Sequence, residues 1–136
     1  MEKENFIILN KISIIDRCLD RVLTTYENNP ENLEDFDKQD IIVLNLQRAC
    51  QSAIDMAMHI CKEKKLGLPQ SSGDAFIFLS NEKIITPSLA NTMKNMVNFR
   101  NIAVHDYQEI DLDILQSIVE EGINDFARYI EMILKI

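Results

Sequence analysis

KQDIIVLNLQRACQSAIDMAMHICKEKK, residues 38–65, decides the fold. Ile41, Leu44, Ile54, Ala57, Met58 and Cys61 recur at helical steps and form one apolar stripe. Val43, Leu46, Ala49, Cys50, Ala53 and Ile60 broaden it. A stripe this wide predicts a long helix touched on two sides, by the core and by another subunit. Asp37 is the expected N-cap. Gly67 is the expected stop, with Pro69 two residues on.

Working outward, residues 5–27 read as a first helix. Ile8, Ile12, Ile15, Leu19, Val22, Leu23 and Tyr26 face inward, and Asn28-Asn29-Pro30 ends it. The acidic segment 31–37 reads as a loop, with Leu33 and Phe36 tacked onto the core. Beyond residue 65, Ser71 or Ser72 caps a short helix over 73–80 that buries Ala75, Phe76, Phe78 and Leu79. Thr86 caps a fourth helix with Pro87 at its first position and Leu89, Met93, Met96 and Val97 inside. Asp111 caps the last helix, whose stripe is Leu112, Leu115, Ile118, Val119, Ile123, Phe126, Ile130 and Ile133. No run alternates with period two. The expected architecture is all-α: an up-and-down bundle of four main helices plus one short one, in a single domain over 1–136.

Composition narrows the function classes. A chain of 136 residues buries about two-thirds of its unfolded surface, enough for a core. With 46% apolar residues it should fold rather than stay disordered. Three glycines and three prolines leave few turns between long helices. A formal charge of −8 argues against sequence-blind nucleic-acid binding, but not against a nuclease with a local basic cleft. Cys18, Cys50 and Cys61 are odd in number and lack C-x-x-C spacing, so they read as buried reduced thiols. The N-terminus has no leader pattern and no apolar run is long enough to span a membrane. The expected compartment is the cytoplasm.

The chemistry gathers in Asn98-Phe99-Arg100-Asn101-Ile102-Ala103-Val104-His105-Asp106-Tyr107. A guanidinium fixes phosphate oxygens with a planar fork of donors. An imidazole gives or takes a proton near neutral pH. Phosphodiester cleavage needs both at one place. Asn101 can orient a phosphate or the imidazole. Asp106 beside His105 favours the imidazolium, and Arg100 opposes it. Ile102, Ala103 and Val104 are expected to anchor the turn in the core. On an unbroken helix Arg100 and His105 stand about 140° apart around the axis. Bringing both to one cleft requires a helix that ends or tightens between them. The competing reading is a surface arginine and a capping histidine beside a helix end. Arg48 either lines the cleft or pairs with an acidic neighbour. Lys62, Lys64 and Lys65 read as a solvated face at a negative helix end. His59, alone among Met56, Met58 and Ile60, reads as structural, and no metal-ligand cluster is evident.

Arg-Asn-Ile-Ala-Val-His-Asp-Tyr at 100–107 resembles the R-x4-6-H motif of the HEPN superfamily, and more narrowly the R-x4-H-x-Y form of HepT-type toxins in HEPN–MNT toxin–antitoxin pairs. The likeness extends through 14–19, 44–55, 67–72 and 74–76 into Met96-Val97. It implies a small helical bundle that dimerises, with two motif copies facing a shared cleft. It implies a metal-independent RNase, with Arg100 and His105 active and Asn101 as a polar helper; Asp106 and Arg48 are the further supporting candidates, and no cofactor is expected. It implies an MNT-type nucleotidyltransferase antitoxin that adenylylates Tyr107 and so blocks the toxin. Two positions depart from the pattern: Asn98 stands where glycine is frequent, and Gly73 where arginine is frequent. The alternative is a non-catalytic nucleotide-binding or interaction module for the transferase. A third reading is an all-α scaffold without a ligand.

Overall fold

The computed structural model describes residues 2–136, with side chains from residue 6 onward. Its elements are α1 (Glu2–Tyr26), a 3-10 turn (Pro30–Leu33), α2 (Phe36–Glu63), α3 (Ser72–Asn81) and α4 (Pro87–His105). A second 3-10 turn (Tyr107–Glu109), α5 (Leu112–Ser117), a π-helical stretch (Ile118–Gly122) and α6 (Ile123–Leu134) complete the chain. The last three run on without a break, so four long rods and one short helix make the expected all-α bundle. Among the described residues no helix is long and apolar enough to cross a membrane.

α2 is the central rod because it is apolar on nearly every side. Ile42, Leu46, Ala49, Ala53, Met56 and Ala57 have no exposed surface. α1 packs along one side, and α3 and α4 along the other. Most of the stripe's breadth is buried within the chain, but Leu44 stays 43% exposed and Ile41 and Met58 are only half-buried. α6 reaches the same rod through Tyr129, whose hydroxyl donates to the Ala53 carbonyl at 2.8 Å. The Tyr129 ring meets Phe76 of α3 edge-on, with centroids 5.6 Å apart. A buried tyrosine needs such a partner for its hydroxyl.

Several ends differ from expectation. Asp35, not Asp37, caps α2, accepting from the Lys38 amide at 3.2 Å. Phe36 then becomes the first helical residue and stays 78% exposed. A helical side chain leans toward the preceding turn, and here no turn precedes it. Leu33 is buried as expected, but Leu23 is 49% exposed at the edge of the stripe that Ile15, Leu19, Val22 and Tyr26 fill. α2 ends at Glu63, and Lys65 rather than Gly67 is the left-handed residue that closes it, at φ 54°, with the Leu66 amide bonding back to Cys61. Lys83 ends α3 the same way, at φ 59°. The expected caps Ser71, Thr86 and Asp111 are all in place.

The π-helical stretch was not anticipated. It falls where Gly122 passes against α4: a Cβ there would sit 2.7 Å from the Met96 Cε. The small residue lets the last rod lie close to the helix that carries the motif.

Candidate active site

α4 is regular through His105, so the expected break between Arg100 and His105 does not exist. The chain leaves the helix one residue later, at Asp106, with φ −140° and ψ 54°. The Asp106 amide closes the last turn on the Ile102 carbonyl at 2.8 Å, and its side chain caps nothing. Five positions on an intact helix advance about 7.5 Å and turn about 140°. Arg100 and His105 of one chain therefore stand on different flanks of α4. Of the three apolar residues between them, only Ala103 is buried. Ile102 and Val104 are about two-fifths exposed, at 40% and 41%, because one turn of helix sweeps them past the core rather than into it.

Arg100 is half-buried on the flank toward α2. Its charge reaches the Cys50 thiol, which burial pushes up to about 12 against the pull of the guanidinium. One terminal nitrogen donates to the Asn101 amide oxygen at 2.9 Å. The Nε–H is enclosed and has no acceptor. Among the described residues no carboxylate lies within ion-pair distance of Arg100, while four lysine or arginine pairs form elsewhere. In a chain with 22 acidic and 14 basic residues, a cation left without a carboxylate is available for an external anion.

His105 is exposed in the last turn. It ends a polar face that sequence reading missed. Asn91, Lys94, Asn98, Asn101 and His105 are all exposed, and their 3-4-3-4 spacing stacks them along one side of α4. Lys94 is held there by Gly73. Its side-chain carbons lie 3.1–3.7 Å from where a Cβ of residue 73 would be, so the lysine stem occupies the space a larger residue would take. The spacing itself was the available signal.

On the far flank, α4 and the last rod enclose a groove of about 430 Å³. Phe99, Ile102, Ile114 and Ile118 line it, with Glu109, Asp111, Glu121 and Asp125 around them. No lysine, arginine or histidine lines it.

Tyr107 opens the 3-10 turn after α4 and is half-buried. Its hydroxyl donates to the Asp40 carboxylate at 2.5 Å, with Gln39 Oε1 at 3.4 Å. Burial, and then the Asp40 hydrogen bond and charge, raise its pKa above the ordinary tyrosine value. Neither α2 residue was foreseen. They lie 67 and 68 positions away, and nothing local marks them. Arg48 is exposed, and its charge reaches Cys18 on α1. No hydrogen bond or ion pair among the described residues joins Arg48 to Arg100 or His105. His59 is half-buried with an unpartnered Nε2, and no cluster of potential metal ligands occurs among the described residues.

A family model described as Ribonuclease HepT-like matches residues 9–133. The chain belongs to the HepT-like ribonuclease family. The mRNA nuclease HepT of Shewanella oneidensis is 46% identical over 129 residues, covering 95% of this chain and 97% of the relative. The tRNA nuclease HepT of Aphanizomenon flos-aquae is 32% identical over 132 residues, covering 96% and 89%. Among solved structures, a toxin–antitoxin with AMP-PNP superposes with a TM-score of 0.92 at 44% identity, covering 96% of this chain and 98% of that one. A tri-AMPylated Shewanella oneidensis HEPN toxin in complex with MNT antitoxin superposes at 0.91 with 45% identity, with the same coverage. The HEPN resemblance read from the motif therefore holds across nearly the whole HepT-like chain.

Proposed function

We propose that residues 1–136 form one HEPN-like domain that acts in the cytoplasm as the toxin of a HEPN–MNT pair. It is a homodimeric, metal-independent endoribonuclease. A ribose 2′-hydroxyl attacks the adjacent phosphorus in line, and the bond to the 5′-oxygen breaks. The products are a 2′,3′-cyclic phosphate and a 5′-hydroxyl. The nucleophile belongs to the substrate, so no metal-activated water is required. Arg100 stabilises the charge building on the phosphoryl oxygens, and Asn101 holds its guanidinium. His105 of the second copy takes the 2′-hydroxyl proton, and water supplies a proton to the leaving 5′-oxygen. Two copies are invoked because Arg100 and His105 diverge on one helix.

The observation that carries this reading is an arginine with no carboxylate partner among the described residues and an exposed histidine on the last turns of one helix, in a strongly acidic chain. The names of the 46% and 32% identical relatives support RNA as the substrate class. The test is incubation of the purified chain with RNA in EDTA. Cleavage with cyclic phosphate ends is expected, and His105→Ala should lose it by about 100-fold or more while keeping its helical spectrum. Undiminished cleavage by folded His105→Ala would reject the assignment. Phosphate binding without cleavage would favour the non-catalytic module.

Control follows from the same motif. An MNT-type nucleotidyltransferase adenylylates Tyr107: the phenolic oxygen attacks the α-phosphorus of ATP, a P–O bond forms and pyrophosphate leaves. The AMPylated state of the 45% identical toxin supports this reading. Mass analysis after incubation with the cognate transferase and ATP tests it, since nucleotide on any other residue would exclude Tyr107.

A further inference from the structure

We infer that Asp40 is the general base for modification of Tyr107, taking the phenolic proton as the oxygen attacks the α-phosphorus; this rests on the adenylylation reading above. The two groups already meet. The Tyr107 hydroxyl donates directly to the Asp40 Oδ1, so the proton's donor and acceptor are already in contact. The contact is made by the fold and not by local chain preference, since it joins the turn after α4 to the start of α2, 67 residues apart.

Asp40 is also well held. Asp35 caps α2 at the Lys38 amide, and the Gln39 side-chain amide donates to the Leu33 carbonyl at 2.8 Å. Those bonds fix the first turns of α2, and with them the direction of residue 40. The nearest lysine in sequence, Lys38, is turned elsewhere: its ammonium donates to Asn32 at 3.1 Å and lies 3.9 Å from Glu27. No ion pair among the described residues occupies Asp40. Its carboxylate is exposed, and its one hydrogen-bond partner among the described residues is the tyrosine.

The chemistry needs such a group. Half-burial and the adjacent carboxylate make Tyr107 harder to ionise than a free tyrosine. A preformed phenolate is therefore scarce at neutral pH, and the proton must leave as the bond forms. The accounting closes without a further reactant. The O–H bond breaks, the proton goes to Asp40, the Oη–P bond forms, and the bond from phosphorus to pyrophosphate breaks. The product can no longer donate to Asp40, and once Asp40 has passed its proton to water its carboxylate faces the phosphodiester anion. The tie between α2 and the turn that follows His105 is lost with the proton.

The experiment measures the initial rate of AMP addition by the cognate transferase with ATP, using intact mass and peptide mapping, on the wild-type chain, Asp40→Asn and Asp40→Glu. Asn keeps an oxygen that accepts from the hydroxyl but cannot take the proton, so orientation and proton transfer separate. Expected is a kcat for Asp40→Asn lower by about 100-fold or more, with the KM for ATP within about twofold. Asp40→Glu should recover to within about tenfold of wild type. Matched melting curves exclude a folding defect as the cause. Wild-type rates for Asp40→Asn would overturn the base assignment and leave Tyr107 as the target. Absence of AMP on Tyr107 in the wild type would remove the adenylylation reading itself.

Discussion

The two flanks of α4 are made from the same helix and face opposite kinds of partner. The outward face carries Asn91, Lys94, Asn101 and His105, with Asn98 at its border with the groove and Arg100 on a separate flank toward α2. The other flank drops into the groove of Phe99, Ile102, Ile114 and Ile118, lined with four carboxylates. A polyanion is attracted to the first and repelled by the second. A net charge of −8 is compatible with an RNA site because charges act over about 8–10 Å in physiological salt. What matters is which flank the strand meets, not the sum over the chain.

The largest effect expected tests whether the reactive flank is completed by a second copy. Arg100→Ala and His105→Ala should each lose about 100-fold or more of RNA cleavage. Mixed and allowed to exchange subunits, the two dead variants should regain activity. If Arg100 of one copy works with His105 of the other, each mixed dimer keeps one intact site. Half of the dimers are mixed, so recovery should reach about a quarter of wild type. No recovery would mean that both groups of one helix serve the same site, against their 140° separation.

A middle-sized effect sets the flanks against each other directly. Lys94→Glu and Glu121→Lys change the net charge by equal amounts in opposite directions. Lys94 sits on the polar face, held over Gly73, about 16 Å along the axis from His105. That is within reach of a bound strand of a few nucleotides. Glu121 lines the groove. Lys94→Glu should slow cleavage about threefold to tenfold, with a weaker salt dependence. Glu121→Lys should leave it within about twofold. If the total charge governs instead, Glu121→Lys will speed cleavage by as much as Lys94→Glu slows it.

Much of this was legible in the sequence, for identifiable reasons. The bundle follows from 3.6-residue periodicity and from caps that are local: Ser71, Thr86 and Asp111 each satisfy an amide within three residues. The cap of α2 was misplaced because Asp35 and Asp37 are chemically equal, and only the burial of Leu33 fixes where the chain must turn. The π-helical stretch was not legible, since it answers to the approach of Met96 from another helix. At the site, the residue types in R-x4-H-x-Y were plain but their divergence was not. Nothing in Ile102-Ala103-Val104 says whether the helix continues. Asp40 was invisible for the opposite reason: one carboxylate among 22 acidic residues gains meaning only from the tyrosine that the fold sets against it.

The smallest effect lies outside both flanks and calibrates the comparison. Lys83 ends α3 in the left-handed region at φ 59°, with the Ile84 amide closing on Leu79 at 2.9 Å and the Lys83 amide on Ser80 at 2.9 Å. A side chain with a Cβ is strained there by about 1–2 kcal/mol, and glycine is not. Glycine also has more freedom to lose from the unfolded chain, which offsets part of the gain. Lys83→Gly should therefore stabilise the fold by about 0.5–1 kcal/mol, read as a rise in Tm of about 2–5 °C. Lys83 is exposed and makes no ion pair among the described residues, so no contact is lost. Cleavage should stay unchanged at a temperature where both proteins are folded. An equal Tm would show that the turn relaxes its strain in solution; a change in cleavage would show that stability alone moves activity, and the Lys94 and Glu121 responses would then have to be corrected for it.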